Sequence, residues 1–85
     1  MQIFYSSKFE KQYRKLPEVI KSMAEEKEII FRANPFDTTL STHKLHGKLK
    51  GHYAFSINDK YRIIFEFVNP DNIRFHYVGT HDVYE

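Results

Sequence analysis

The chain has 85 residues, room for one domain around one core, and its eight Phe and six Tyr supply most of the apolar area that such a core needs. It has no cysteine, which excludes disulfides, thiolate zinc sites and thiol nucleophiles. The formal net charge is only +2, but Lys44, Lys48, Lys50, Lys60 and Arg62 face a single acid, Asp59, between Ser41 and Arg62. His43, His46 and His52 share that stretch, and a local basic patch of this kind predicts an anionic partner, RNA first among them. Met1–Tyr5 lacks the basic and apolar regions of a signal peptide, and no segment is apolar for long enough to span a bilayer. The expectation is a soluble, cytoplasmic domain covering residues 1–85.

Taken in order, Gln2 to Tyr5 reads as a short strand. Ser7-Lys8-Phe9-Glu10 matches a capping box, with Ser7 as the cap of a first helix whose apolar face is Phe9, Tyr13 and Leu16. Pro17 suits the first turn of a second helix. Val19, Ile20, Met23, Ile30 and Phe31 form its apolar stripe, and Asn34-Pro35 stops it. The two helices are expected to form a hairpin.

After a loop from Pro35 to Thr42 the period changes to two. Tyr53, Phe55 and Ile57 form the apolar face of one strand, and Asn58-Asp59 turns into a second carrying Tyr61, Ile63, Phe65 and Phe67. Asn69-Pro70-Asp71-Asn72 turns again, into a strand with Ile73, Phe75 and Tyr77 on one side. The predicted fold is α+β, in the order β-α-α-β-β-β, with helices on one sheet face and a polar, basic second face left open.

Three segments carry a resemblance: Lys44-Leu45-His46-Gly47-Lys48-Leu49-Lys50-Gly51-His52-Tyr53, Tyr61-Arg62-Ile63-Ile64-Phe65, and Val78-Gly79-Thr80-His81-Asp82-Val83-Tyr84. With the helix pair before them they resemble the RelE/ParE superfamily of type II toxin–antitoxin toxins, and the ending is similar to its YafQ-like branch. The resemblance implies a ribosome-dependent mRNA endoribonuclease that inhibits translation. It also implies a cognate antitoxin, mRNA on the ribosome as the target, and no cofactor or membrane. It matches an arginine to Arg62, a cationic or histidine side chain to His81, a terminal aromatic to Tyr84, and the histidine before a Leu-x-Gly segment to His43. The branch's second histidine and its Asp-Trp pair are replaced by Ser56 and Lys60-Tyr61, and one of its arginines by Tyr77.

RNA supplies its own nucleophile, the 2′-hydroxyl. Cleavage then needs a base, an acid and a cation for the phosphorane charge, roles that suit histidine and arginine. On this basis Arg62 is assigned to the scissile phosphate, His81 to proton transfer with His43 as partner, and Tyr84 to base stacking or proton donation. Lys44, Lys48, Lys50 and Lys60 are assigned to RNA phosphates. Each assignment has a plainer alternative. Arg62 could pair with Glu66 along its strand, His81 and His43 could be ordinary surface histidines, and Tyr84 could pack the C-terminus. His46, His52 and His76 read as surface residues. A zinc site from His43, His46, His81 and Asp82 fits the usual ligand patterns poorly, so no metal is expected, and Gly47, Gly51 and Gly79 lack the spacing of a phosphate loop. A gyrase-inhibiting toxin of the ParE type and a non-catalytic binding module remain the rival functions.

Overall fold

The computed structural model of the chain describes residues 1–82. In chain order it contains β1 (Gln2–Tyr5), α1 (Ser7–Arg14), α2 (Glu18–Ala33), β2 (His43–Lys44), β3 (Tyr53–Ser56), β4 (Arg62–Asn69) and β5 (Asn72–Gly79). Single 3-10 turns at Thr38–Leu40 and Gly47–Leu49 flank β2. The sheet runs β1-β5-β4-β3-β2, with β1 parallel to β5 and the other neighbours antiparallel. The expected α+β order is present. The short edge strand β2 is an addition to it, within a segment whose alternating Lys and His are broken by the turn at Gly47–Leu49. Gly47 and Gly51 take φ of 69° and 92° there, a region open to glycine.

The cap of α1 is Ser6, one residue before the expected Ser7. Ser6 has the extended backbone of a cap, its Oγ accepts from the Phe9 N–H at 3.0 Å, and its hydroxyl donates to the His76 carbonyl at 2.9 Å. One side chain thus starts the helix and ties it to β5. Pro17 stands at the cap of α2, where its missing N–H removes no helix bond. Along α2 the buried residues are Ile20, Ala24 and Phe31. Val19, expected in the stripe, is 64 % exposed, because a step of about 100° from Ile20 carries it off a face this narrow.

Phe31 is the hub of the core. Its ring stacks on Phe55 at 4.8 Å between centroids and meets Phe65 and Phe75 edge-on at 4.9 and 5.4 Å. Ile57, Ile63, Ile73 and Val78 complete the sheet side of this layer.

The alternation along β5 does not run through. Ile64 pairs with Tyr77 while Phe65 pairs with Phe75, so His76 is the extra residue of a bulge. Beyond it Val78, opposite Ile63, is buried in the core, and Tyr77, opposite Ile64, turns to the second face. Tyr77 was expected on the core side. A bulge reverses facing, which a period-two pattern read from sequence cannot anticipate.

Candidate active site

Directly paired residues share a sheet face, so register alone defines the second face. One row across it is His43, Ala54, Ile64 and Tyr77, and the next is Ser56, Arg62 and Gly79. Ala54 and Ile64 have no solvent exposure although they point away from the helices. The face is therefore an apolar floor with polar side chains around it.

Arg62 opens β4 opposite Gly79. Two residues later the chain brings His81 back, with its Nε2 3.2 Å from Arg62 Nη2. Arginine has only donors, so Nε2 accepts and the histidine proton sits on Nδ1. Among the described residues Arg62 Nε, sheltered from solvent, has no hydrogen-bond partner, and no carboxylate pairs with this guanidinium. The sheet ion pair with Glu66 is not formed. Glu66 instead accepts from His76 Nε2 at 2.8 Å and lies 4.0 Å from Arg74 Nη1.

His43 shares the face but does not touch the pair. Two strand spacings and one residue pair separate it from Arg62, roughly 12 Å between Cα atoms. Its Nδ1 lies 2.9 Å from the Ser41 carbonyl, which can only accept, so Nδ1 donates and Nε2 is left free. Ser41 holds that carbonyl in place with a left-handed backbone, φ 51°. Tyr84 lies outside the described residues.

The lysines are scattered. Lys44 pairs with Tyr53 and so takes the opposite face from His43. It joins Lys50, His46, His52, Tyr53 and Phe67 around a cavity of about 510 Å³ at the sheet edge. Lys48 is exposed in the 3-10 turn, and Lys60 is exposed in the turn that leads into Arg62.

Sequence reasoning left His52, Glu66 and His76 out. They come together as a half-buried cluster at the other end of the second face, with the imidazole centroids of His52 and His76 4.8 Å apart. His52 Nδ1 is sheltered from solvent and has no hydrogen-bond partner among the described residues. The bulge at His76 is what delivers its ring to Glu66, and no local signal in the sequence announces it.

The helix side carries a groove of about 510 Å³ between α1 and α2, lined by Tyr5, Phe9, Tyr13, Glu25, Glu28 and Ile29 among others. Burial, then the Glu28 carboxylate that its hydroxyl donates to at 2.9 Å, push the Tyr5 phenol above its ordinary range. Burial and Glu25 do the same to Tyr13. No helix among the described residues is long and apolar enough to cross a membrane.

Comparison with known proteins accords with this architecture. The fold superposes on YafQ from E. coli strain BL21(DE3) with a TM-score of 0.75, at 22% identity over 95% of this chain and 93% of that one. A YoeB/ParE toxin from Agrobacterium tumefaciens gives 0.80 at 12% identity, covering 95% of this chain and 99% of that one. The YoeB-YefM complex from Staphylococcus aureus gives 0.76 at 19% identity, covering 95% and 97%. None of the curated proteins matches the sequence. The family model described as "RelE-like toxin of type II toxin-antitoxin system HigB" matches residues 1–81, and the chain belongs to that HigB-like family of RelE-like toxins.

Proposed function

We propose that this toxin is a ribosome-dependent mRNA endoribonuclease that inhibits translation. The observation that supports it most is the Arg62–His81 contact at 3.2 Å on the sheet face away from the helices, with no carboxylate paired to the guanidinium among the described residues. A guanidinium without a paired carboxylate among the described residues, beside a histidine nitrogen that accepts, suits a phosphodiester. When RNA enters, Arg62 turns its donors to the scissile phosphate, and the His81 Nε2 lone pair is released to take the 2′-hydroxyl proton. The 2′-oxygen forms its bond to phosphorus as the bond to the 5′-oxygen breaks. The products are a 2′,3′-cyclic phosphate and a 5′-hydroxyl once an acid protonates the leaving oxygen. Tyr84 supplies that acid, or His43 once its Nε2 has taken up a proton.

The working partner is a cognate antitoxin, as the YoeB-YefM complex from Staphylococcus aureus suggests for a protein of the same fold. Residues 1–85 act as one domain in the cytoplasm, with mRNA on the ribosome as substrate. Lys60, two residues before Arg62, is the candidate contact for phosphates beside the scissile bond, whereas Lys44, Lys48 and Lys50 stand away from the pair and are candidates for the wider, ribosome-held target.

Controlled expression with mapping of mRNA ends tests the reading. Arg62→Ala and His81→Ala should each abolish toxicity and remove the new ends, while the variants stay folded and still bind the antitoxin. Full toxicity of both variants would sink the nuclease reading and favour gyrase inhibition.

A further inference from the structure

We propose that His52, Glu66 and His76 form a binding site for a divalent transition metal of the zinc class. Among the described residues they are the group of His, Asp and Glu side chains close enough to share an ion, with one ligand atom from each lying within 4.8 Å of the others. They come from the approach to β3, from β4 and from β5, so an ion held by all three would clasp the sheet across its strands.

The geometry is near what coordination requires. Zinc takes nitrogen and carboxylate oxygen at about 2.0–2.2 Å, which puts tetrahedral ligand atoms about 3.4 Å apart. Glu66 Oε1 and His76 Nε2, now at 2.8 Å, must part slightly, and the widest separation must close. Side-chain torsions alone can supply both movements, because all three residues are only half-buried. Two imidazoles with one carboxylate favour a borderline metal over magnesium or calcium, which prefer all-oxygen sites. Three protein ligands leave a fourth position for water.

A second observation points the same way. Among the described residues nothing pairs with His52 Nδ1, which is sheltered from solvent, and a polar nitrogen in that condition is destabilised until something binds it or its ring turns. The opposing feature is Arg74, whose Nη1 lies 4.0 Å from Glu66, but this side chain is half-exposed and can swing into water. The cluster is separate from the Arg62–His81 pair, since Glu66 lies four residues along β4, about 13 Å away.

The test uses the untagged full-length protein and Zn²⁺ alone, at slightly alkaline pH. Calorimetry should show one equivalent bound. His52→Gln and His76→Gln should each weaken binding by at least about 10–100-fold, the loss that follows removal even of an outer-shell partner, while His46→Gln leaves it unchanged. Circular dichroism checks that each variant is folded. On the wild-type chain, zinc should shift the imidazole resonances of His52 and His76 and leave those of His43 and His46 in place. No binding by the wild type, or shifts confined to other histidines, would overturn the proposal.

Discussion

Arg62 and His81, nineteen residues apart in sequence, meet at 3.2 Å between Nη2 and Nε2. Arginine can only donate, so in this contact the histidine Nε2 is the acceptor. The contact also makes the two residues one unit. Whatever draws the guanidinium away frees the Nε2 lone pair at the same moment, and a phosphate is the ligand best suited to draw it.

That coupling predicts non-additive kinetics. On the proposed nuclease reading, removing Arg62 should slow cleavage by about 10²–10³-fold, and removing His81 by about 10²–10⁴-fold. The double variant should be little worse than the poorer single one, as for residues that act as a unit. Single-turnover cleavage on programmed ribosomes measures all three. Fully multiplicative losses would mean that the two side chains act independently.

Part of this arrangement is legible in the sequence. The resemblance singles out Arg62 and His81 as candidates, and the strand pattern puts Arg62 on the second face. What the sequence concealed depends on register. Tyr77 and Val78 exchange faces because of one unmatched residue, His76, and the cluster of His52, Glu66 and His76 exists only through that bulge. The cap was misread by one position for a related reason. Ser6 and Ser7 are chemically alike, and only the hydroxyl of Ser6 also reaches the carbonyl of His76, 70 residues away.

Ser6→Ala should therefore lose two hydrogen bonds with one oxygen. Loss of the cap alone destabilises by about 0.5–2 kcal/mol, and the unsatisfied His76 carbonyl should bring the effect to the upper part of that range. Ser7→Ala, at the first helical position, should change little. Urea unfolding of both variants measures the contrast, and equal effects would contradict the assignment of the cap.

Asp37 gives a pH-dependent counterpart. The Thr39 hydroxyl and then its backbone N–H, at 2.6 and 2.9 Å, hold this carboxyl below its ordinary range. A carboxyl lowered in the folded state contributes stability above its unfolded pKa and loses it as pH falls through the folded one. The stability difference between wild type and Asp37→Ala should thus be constant near neutral pH and shrink on acidification. Urea midpoints compared at neutral and at strongly acidic pH would show it, and a gap that widened in acid would refute the sign.

The lysines yield the sharpest separation between sequence and structure. Lys44 and Lys60 were equivalent candidates for phosphate contacts, yet they stand in different places. Lys44 pairs with Tyr53 and takes the opposite face from His43, whereas Lys60 sits in the turn two residues before Arg62. A strand of RNA lying over Arg62 and His81 passes close to Lys60 and away from Lys44. Each phosphate contact on single-stranded nucleic acid contributes about 0.7 to the slope of log affinity against log salt. With Arg62→Ala as the background, so that cleavage does not consume the substrate, Lys60→Ala should reduce that slope by about this amount on a short RNA. Lys44→Ala should leave it unchanged. Fluorescence anisotropy across a salt series measures both, and a slope lowered by Lys44→Ala alone would move the RNA path to the sheet-edge cavity lined by Lys44 and Lys50.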